Sequence, residues 1–337
     1  MRPHSGATLV CALLLTLALL PLSLSGCAPQ EAPQGEPQEE PSDDSVLLGF
    51  SQLGWESAWR VGFSLDIQAA AERAGVQLMF DNAQQKQENQ IKAIRSFIAY
   101  QVDVIAFSPI VEEGWDTVLQ EARDAGIPVL MTDRFIVTED PSLYAGYVGA
   151  DFSAEGRRAG EFLVEKADRE GLTDLKIVEL SGTISSSPML QRSEAFRECI
   201  AGDPRFEIVE TISGDFLRSK GKECMQETLE HHERIDVLFS HNDAMTLGAI
   251  EAIEEAGLRP GEDVIIITID GEQAAIDLLQ EGKINCVVEC TPMLGDIIME
   301  LAKKLAAGEE IPRVTNPEER AFTEFDEDLM DIPPRGY

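Results

Sequence analysis

Charged, aromatic and hydroxyl side chains follow directly after the apolar runs that are expected to form strands. The first run, Val46–Phe50, is followed by Glu56, Ser57, Trp59 and Arg60. Carboxylates accept hydrogen bonds from hydroxyl groups, guanidinium groups donate in a fixed fork, and an indole face covers C–H surfaces. Such a set suits a ligand rich in hydroxyl groups, although any single Asp or Asn at a strand end could instead cap a helix. Later runs are followed by Asp133 and Arg134, by His241, Asn242 and Asp243, by Asp270 and Gly271, and by Glu289, with Arg192 near the start of a predicted helix.

Groups for catalysis are poorly represented. No nucleophile elbow is present, and Gly182–Ser187 lacks the Lys and the second Gly of a P-loop, so it could hold a ligand only through backbone N–H groups. Asp133, Asp270 and Glu289 leave a paired-carboxylate glycosidase as a rival hypothesis, yet no carboxyl group lies in an apolar stretch that would raise its pKa. Cysteine and histidine do not cluster at metal-ligand spacing, so neither a metal site nor a cofactor is predicted.

The elements that must position these side chains alternate between strand and helix from Val46 onward. Repeated β-α-β units with short connections predict parallel sheets with right-handed crossovers. Three predicted helices end in Ala-Gly followed by an aliphatic residue, at Gly75, Gly126 and Gly257, which is a typical left-handed helix stop. Two runs of such units predict an α/β protein with two doubly wound, Rossmann-like lobes. The residues after the last predicted helix, Leu294–Ala307, are expected to be irregular.

The amino terminus carries a predicted signal rather than a folded element. Leu9–Leu20 is a short apolar stretch, and Leu24-Ser25-Gly26-Cys27 resembles a bacterial lipobox, so residues 1–26 are expected to be removed and Cys27 lipidated. An ordinary secretory signal with an incidental cysteine is the alternative. Residues 27–45 are rich in Pro, Gln and Glu and are expected to form a disordered tether. The folded part would then lie outside the cytoplasm, anchored to the cell membrane by lipid.

The charge balance is strongly acidic, at −34 for the whole chain, and it becomes one unit more negative when Arg2 leaves with the signal. This excess argues against a nucleic-acid partner, which requires a basic surface. Beyond the lipobox the cysteines are Cys199, Cys224, Cys286 and Cys290. Cys199 and Cys224 lie in consecutive predicted helices, so a disulfide between them and two free thiols are equally acceptable alternatives.

Several longer motifs resemble the sugar-binding proteins of ABC importers, within their ribose-binding-like class and its galactofuranose-binding members. The resemblance covers residues 46–337, and its most specific parts are Gln85–Phe97 and the pair of runs Ser213–Phe216 and Arg218–Lys222. It also includes Gly49–Gln52, Asp133-Arg134, His241-Asn242-Asp243 and Ile269-Asp270-Gly271. Two departures are Trp55 and Ala58, which replace smaller residues in the first turn, and the lipobox, which replaces a free periplasmic leader.

The resemblance implies a type I periplasmic binding protein fold with a hinge of three crossovers, near Gly149–Asp151, near Glu289–Thr291 and within 311–325. The first lobe would comprise residues 46–149 and 290–310, and the second lobe residues 150–289 and 311–337. Arg134 and Arg192 would enter the crevice from opposite lobes, the first beside Asp133 and the second beside Asp270 or Glu289. Trp59 would stack on the ligand, with Trp55 either beside it or in the core. The implied ligand set is Glu56, Ser57, Ala58, Trp59, Arg60, Asp133, Arg134, Arg192, Asn242, Asp270 and Glu289.

The function implied is capture of a monosaccharide, galactofuranose or a related aldose, and its delivery to an ABC permease in the membrane. No reaction, cofactor, metal or nucleic-acid partner is expected, and the protein is expected to be a monomer. A sensory module that presents the liganded form to a signalling receptor is the alternative, because the same fold serves both roles. A repressor effector domain would need a helix-turn-helix before Val46, where the lipobox stands instead.

Overall fold

The computed structural model describes residues 45–337, so the predicted signal, the predicted lipidation site Cys27 and nearly all of the predicted tether lie outside the described residues. None of the helices in the described range is long and apolar enough to cross a membrane. From residue 45 onward the elements are β1 (Leu47–Gln52), α1 (Ala58–Ala74), β2 (Gln77–Asn82), α2 (Gln87–Ala99), β3 (Val104–Phe107), α3 (Asp116–Asp124), β4 (Val129–Thr132), β5 (Gly146–Val148), α4 (Phe152–Glu170), β6 (Leu175–Ser181), α5 (Ser187–Ile200), β7 (Phe206–Ser213), α6 (Arg218–His231), β8 (Val237–Ser240), α7 (Asp243–Glu255), β9 (Ile265–Asp270), α8 (Gln273–Gln280), β10 (Cys286–Glu289), α9 (Gly295–Ala306), β11 (Val314–Thr315) and β12 (Ala321–Thr323).

The strands form two six-stranded sheets, one for each lobe. The first sheet has the order β11-β5-β4-β3-β1-β2 and is parallel throughout. The second has the order β12-β10-β9-β8-β6-β7, and β12 alone runs antiparallel to its neighbour. The winding direction reverses at β1 in one sheet and at β6 in the other, which opens a crevice at the carboxyl ends of the strands. The predicted class, two doubly wound α/β lobes, is confirmed.

Apolar side chains between sheet and helices form the core of each lobe. In the first lobe Phe50 and Ile67 are fully buried, and in the second Val287 and Ile253 are. Burying one such side chain contributes roughly 1.5–3 kcal/mol. The three helix stops predicted at glycine have φ values of 65°, 76° and 80° at Gly75, Gly126 and Gly257, the left-handed conformation that glycine adopts without strain.

The chain passes between the sheets after β5, after β10 and between β11 and β12. Helix α9 packs on α1 of the first lobe. The expectation that the tail is irregular and belongs to the second lobe from residue 311 is wrong, because β11 pairs with β5 of the first sheet and β12 with β10 of the second. The third crossover therefore lies between Thr315 and Ala321. Edge strands of two or three residues are too short to show an alternating pattern.

The Cys199–Cys224 disulfide, one of two alternatives from the sequence, is not formed, and both thiols are free. Cys199 lies on α5, against Gly160 of α4. Cys224 lies on α6, which packs on α7, and its Sγ is 3.5 Å from the carbonyl oxygen of Ser213. The two cysteines thus belong to different helix pairs, and burial raises the pKa of each thiol.

Candidate functional site

A cavity lies between the lobes, among side chains that follow the carboxyl ends of strands in both sheets. The turn after β1 and the segment after β4 supply its wall in the first lobe, and α5, β8 and β9 supply its wall in the second. Nine of the eleven predicted ligand residues line it, namely Glu56, Ser57, Trp59, Arg60, Asp133, Arg134, Arg192, Asn242 and Asp270.

Two carboxylates of the first lobe are held by Arg60, in the first turn of α1. Its Nη1 donates to Asp133 Oδ2 at 2.6 Å and its Nε donates to Glu56 Oε1 at 3.2 Å. Burial opposes the charge on Arg60, but the two carboxylates raise its pKa above the ordinary value. Glu56 Oε2 is buried and has no hydrogen-bond partner within residues 45–337. It is therefore available to accept a hydrogen bond from a ligand hydroxyl group.

Backbone strain occurs at both strand ends that carry an aspartate. Asp133 has φ = 62° and Asp270 has φ = 136°, values that non-glycine residues rarely adopt. The Asp133 carbonyl accepts a 2.7 Å hydrogen bond from the Tyr147 hydroxyl, and the Asp270 carbonyl accepts one of 2.9 Å from the backbone N–H of Cys290. Burial, and then the nearby Asp243, raise the pKa of the Asp270 carboxyl group well above its usual range. Strain of this kind persists where the surrounding contacts fix a functional geometry.

Arg134 is a buried cation with few partners. Its Nη1 donates to the Ile110 carbonyl at 3.0 Å, and its guanidinium carbon lies 5.4 Å from the centroid of the Phe216 ring. Its Nε is buried without a hydrogen-bond partner in the described part of the chain, and Asp133 Oδ2 is 3.9 Å away. Burial and then Arg60 lower the pKa of Arg134 to about 10, so the group is still charged at neutral pH. A ligand oxygen acceptor would satisfy it.

Arg192 enters the cavity from the second lobe with a different partner from the one expected. Its Nε donates to Glu155 Oε2 at 2.7 Å and its Nη1 to the His241 carbonyl at 2.6 Å. Neither Asp270 nor Glu289 is its ion-pair partner, and Glu155 raises the pKa of Arg192 against the effect of burial. A Cβ on Gly156 would lie 2.3 Å from the Arg192 carbonyl oxygen, so glycine permits the close α4–α5 contact that creates this pair.

Ala58 and Glu289 are the two predicted residues that do not line the cavity. Ala58 is exposed at the start of α1. Glu289 Oε2 accepts from the backbone N–H of Arg320 at 3.2 Å, and Glu289 Oε1 pairs with the Arg335 guanidinium group. Both arginines belong to the tail that the sequence predicts to be irregular, so the sequence does not reveal these partners of Glu289.

The two tryptophans of the first turn occupy different environments. Trp59 lines the cavity, its Nε1 donates to the Cys290 carbonyl at 2.6 Å, and the Arg60 guanidinium carbon lies 4.6 Å from the ring centroid. One indole face is thus covered by a side chain of the protein itself. Trp55 is 47% exposed and lies against Phe80 with 6.1 Å between ring centroids. It does not line the cavity, so the expectation that it lies beside the ligand or in the core is wrong.

Asn242 has the role of a helix cap as well as a place in the cavity wall. Its Oδ1 accepts from the backbone N–H of Met245 at 3.0 Å, at the start of α7, and its Nδ2 donates to the Phe216 carbonyl at 3.4 Å. The capping alternative considered for strand-end residues therefore holds for Asn242 without removing it from the site.

Four residues of the cavity wall were not foreseen: Phe152, Pro188, Phe216 and Cys290. Phe152 begins α4 directly after a crossover, and the Arg192 guanidinium carbon is 5.2 Å from its ring centroid. Phe216 has φ = 62° and belongs to the Ser213–Phe216 motif, which the sequence marked without a role for the ring. Arg134 and Arg192, which enter the cavity from opposite lobes, therefore each lie against an aromatic ring, that of Phe216 and that of Phe152. These two rings supply apolar surface in the cavity wall, which Trp55 does not.

Gly182 makes room for Phe216, because a Cβ at residue 182 would lie 1.9 Å from the Phe216 ring. We expect Gly182→Ala to displace this ring, to weaken ligand binding about tenfold and to reduce the free energy of unfolding by about 1–3 kcal/mol, as overpacking does. Calorimetric titration and urea unfolding measure the two effects.

The matched control for this prediction is Ile184→Ala on the same loop, since Ile184 is 66% exposed. A double variant with Phe216→Leu should regain stability because the smaller side chain leaves space for the added methyl group. Unchanged binding in Gly182→Ala would show that the position of Phe216 does not matter for the ligand.

The three crossovers contribute a group of acids behind Arg192. A carboxylate oxygen of Glu155, a carboxylate oxygen of Glu319 and the Cys290 Sγ lie within 4.8 Å of one another, a spacing at which such atoms could bind a metal ion. Burial and then Glu155 raise the pKa of Glu319 to about 9, and burial raises the pKa of the Cys290 thiol. Arg192 supplies the cation that faces this group, through its ion pair with Glu155.

The comparisons with known proteins agree with this geometry. The sequence profile of the family described as "Periplasmic binding protein domain" matches residues 48–310. The galactofuranose-binding protein of Escherichia coli K12 is 41% identical over 262 residues, which are 77% of this chain and 81% of that protein.

Two examples among the similar solved structures show the same fold. A Mycobacterium smegmatis protein in complex with β-D-fucofuranose is 47% identical with a TM-score of 0.81, covering 83% of this chain and 92% of that one. The binding component of the arabinose ABC transporter of Shewanella sp. ANA-3, bound to α- and β-L-arabinofuranose, is 40% identical with a TM-score of 0.80, covering 85% and 94%. With an inter-lobe cavity and a family profile that spans most of its length, this chain belongs to the periplasmic binding proteins, which are extracytoplasmic proteins that bind substrates for transport.

Proposed function

We propose that this protein captures a monosaccharide in the furanose form, galactofuranose or a related aldose, and delivers it to an ABC permease. One observation carries the proposal: the cavity between the lobes is lined by carboxylates and guanidinium groups, and Glu56 Oε2 and Arg134 Nε have no partner in the described residues. A sugar carries hydroxyl groups around its ring, and each can donate a hydrogen bond to a carboxylate such as Glu56 or accept one from a guanidinium group such as Arg134. The relatives at 40–47% identity, which bind furanose sugars by name or by bound ligand, support the ring form.

The mechanism we propose is closure of the two lobes around the sugar, with no reaction of the sugar itself. A sugar in the cavity contacts Glu56, Asp133 and Arg134 on one lobe and Arg192 and Asp270 on the other. Because only the closed arrangement brings both sets to the ligand at once, binding shifts the protein toward that arrangement. The closed form is then the one that the permease receives. Two more distant relatives, at 25% and 29% identity, are named as import binding proteins for ribose and fructose, which favours this role over that of a sensor.

Nuclear magnetic resonance with sugars labelled with ¹³C at the anomeric carbon tests this proposal directly. We expect galactose, fucose or arabinose to bind, and the bound anomeric resonance to be that of the furanose ring, which is the minor form in free solution. A bound pyranose resonance would overturn the ring assignment. If calorimetry detects no binding of any aldose in the panel, or if a glycoside is hydrolysed, the proposed function fails.

We propose further that the protein is a lipid-anchored monomer attached through Cys27. We expect Cys27→Ser to move the protein from the membrane fraction to the medium or periplasm, because the lipid would be its attachment. Cys11→Ser is the matched control, since it makes the same change within the predicted signal but outside the lipobox. Fractionation and immunoblotting measure the outcome. Membrane retention of Cys27→Ser would contradict lipidation.

A further inference from the structure

Glu272 of the second lobe contacts the first turn of α1 in the first lobe. Its side chain follows Asp270 and Gly271 and is 4% exposed. Glu272 Oε1 accepts a hydrogen bond of 2.9 Å from the backbone N–H of Trp59. Backbone N–H groups in the first turn of a helix have no partner within the helix. A donor of the first lobe is therefore satisfied by an acceptor of the second.

The neighbouring donors of the same turn are satisfied within the first lobe. Ser57 Oγ accepts from the backbone N–H of Arg60 at 3.2 Å, and the Ser57 carbonyl accepts from Val61 at 3.0 Å. The Trp59 N–H thus differs from these two in taking its partner across the cleft. When the lobes separate, this N–H and the Glu272 carboxylate must each exchange their partner for water.

Asp243 fixes the loop that carries Glu272. Asp243 Oδ2 accepts from the backbone N–H groups of Gly271 and Glu272 at 2.8 Å and 2.7 Å, and its Oδ1 accepts from Thr268 Oγ1 at 2.7 Å. Asp243 is fully buried at the start of α7. The position of Glu272 is therefore determined by the second lobe itself, before any contact with the first.

One short loop serves two purposes in this arrangement. Asp270 lines the cavity, whereas Glu272, two residues later, does not. The same loop thus presents one carboxylate to the ligand and the next to α1. The positive end of the α1 dipole favours an oxygen acceptor at this point. Burial disfavours the charged carboxylate and raises the pKa of Glu272. The neutral amide of glutamine could accept the same hydrogen bond.

We propose that Glu272 is a positioning residue that stabilises the closed arrangement of the lobes without contacting the ligand, by accepting the Trp59 N–H. This inference rests on the proposed function. The apparent dissociation constant of a binding protein varies inversely with the fraction of molecules in the competent state. Loss of the contact favours opening, and opening precedes release, so the effect falls on the dissociation rate.

Stopped-flow kinetics of three variants tests this role. We expect Glu272→Ala to raise the sugar dissociation rate about tenfold, the effect of losing one buried hydrogen bond, with the association rate unchanged within about twofold. Glu272→Gln keeps an acceptor and should stay within about threefold of the wild type. Glu281→Ala, which removes an exposed carboxylate at the other end of α8, is the control and should match the wild type.

Two further readouts separate a positioning role from other roles. The order of preference among sugars should be the same in all variants, because Glu272 does not touch the ligand, and a changed order would overturn the proposal. The melting temperature without ligand should stay within a few degrees of the wild type, since both groups can bind water in the open form. A large fall in Glu272→Ala would show that the residue stabilises the fold instead.

Small-angle X-ray scattering without ligand keeps the test independent of sugar binding. We expect the Glu272→Ala protein to have a larger radius of gyration than the Glu272→Gln and Glu281→Ala proteins. If the wild type binds no sugar but this difference is found, the proposed function fails and the inter-lobe role of Glu272 stands. If the wild type binds sugar, but Glu272→Ala changes neither the radius of gyration nor the sugar dissociation rate, the role of Glu272 fails and the proposed function stands.

Discussion

Arg134→Met should weaken sugar binding by about 3 kcal/mol, more than a hundredfold, while the unliganded protein keeps its stability. The buried guanidinium group has one hydrogen bond, to the Ile110 carbonyl, and an unpartnered Nε among the described residues. Its desolvation is therefore poorly compensated until a ligand supplies an acceptor. Removing it costs a charge-assisted hydrogen bond only in the complex. Titration calorimetry and thermal unfolding measure the two quantities.

The matched control is Arg123→Met in the same lobe, which removes an exposed arginine paired with Asp140. This variant should bind sugar normally, because exposed ion pairs contribute little. A fall of many degrees in the melting temperature of Arg134→Met, together with normal sugar binding, would place Arg134 among the structural residues and move the site elsewhere.

The strand ends could be predicted because a parallel sheet places all its carboxyl ends on one edge. Alternating apolar and polar segments locate those ends to within about two residues, and the polar residues that follow them converge whatever the details of packing. This is why Asp133, Asn242 and Asp270, far apart in the sequence, are found in one cavity wall. The Ala-Gly pairs predict the helix ends for a similar reason. A glycine in the left-handed conformation ends a helix by local backbone geometry alone, whatever the tertiary packing.

Ion pairs between residues far apart in the chain could not be predicted from the sequence. Glu155 lies on the helix beside α5, and its pairing with Arg192 depends on the close helix contact at Gly156. Glu289 does not line the cavity and pairs instead with Arg335, which returns to it from a tail without periodic pattern. Each error concerns the partner of a charge, a property set by packing that spacing along the chain does not reveal.

The sequence predicts that Trp59 faces the cavity, but not where Trp55 and Phe216 lie. Trp55 has the residue type of a stacking platform, yet the turn directs it toward Phe80 and solvent. Phe216 reaches the cavity through a left-handed backbone that a phenylalanine rarely adopts, over a glycine from a separate loop. Neither feature has a sequence signature, because both follow from local backbone geometry that only the assembled lobe imposes.

Arg192→Met is expected to affect both stability and binding, in contrast to Arg134→Met. The Arg192 and Glu155 side chains are 4% and 0% exposed and are joined at 2.7 Å. Glu155 Oε1 already lacks a partner within the described range, so removing the arginine leaves a buried carboxylate without compensation. Breaking such a pair costs about 3–5 kcal/mol of unfolding free energy. Urea unfolding of the unliganded protein measures this loss.

The double variant Glu155→Leu/Arg192→Met separates the two roles of the pair. Replacing both members of a buried ion pair by apolar side chains of similar size is often neutral, so we expect most of the lost unfolding free energy to return. Sugar binding should not return, because the guanidinium group that lines the cavity is still absent. Calorimetry on the refolded double variant decides the point. Recovered binding would mean that Arg192 only neutralises Glu155, whereas a double variant as unstable as Arg192→Met would mean that the His241 carbonyl, which also loses its donor, accounts for the stability.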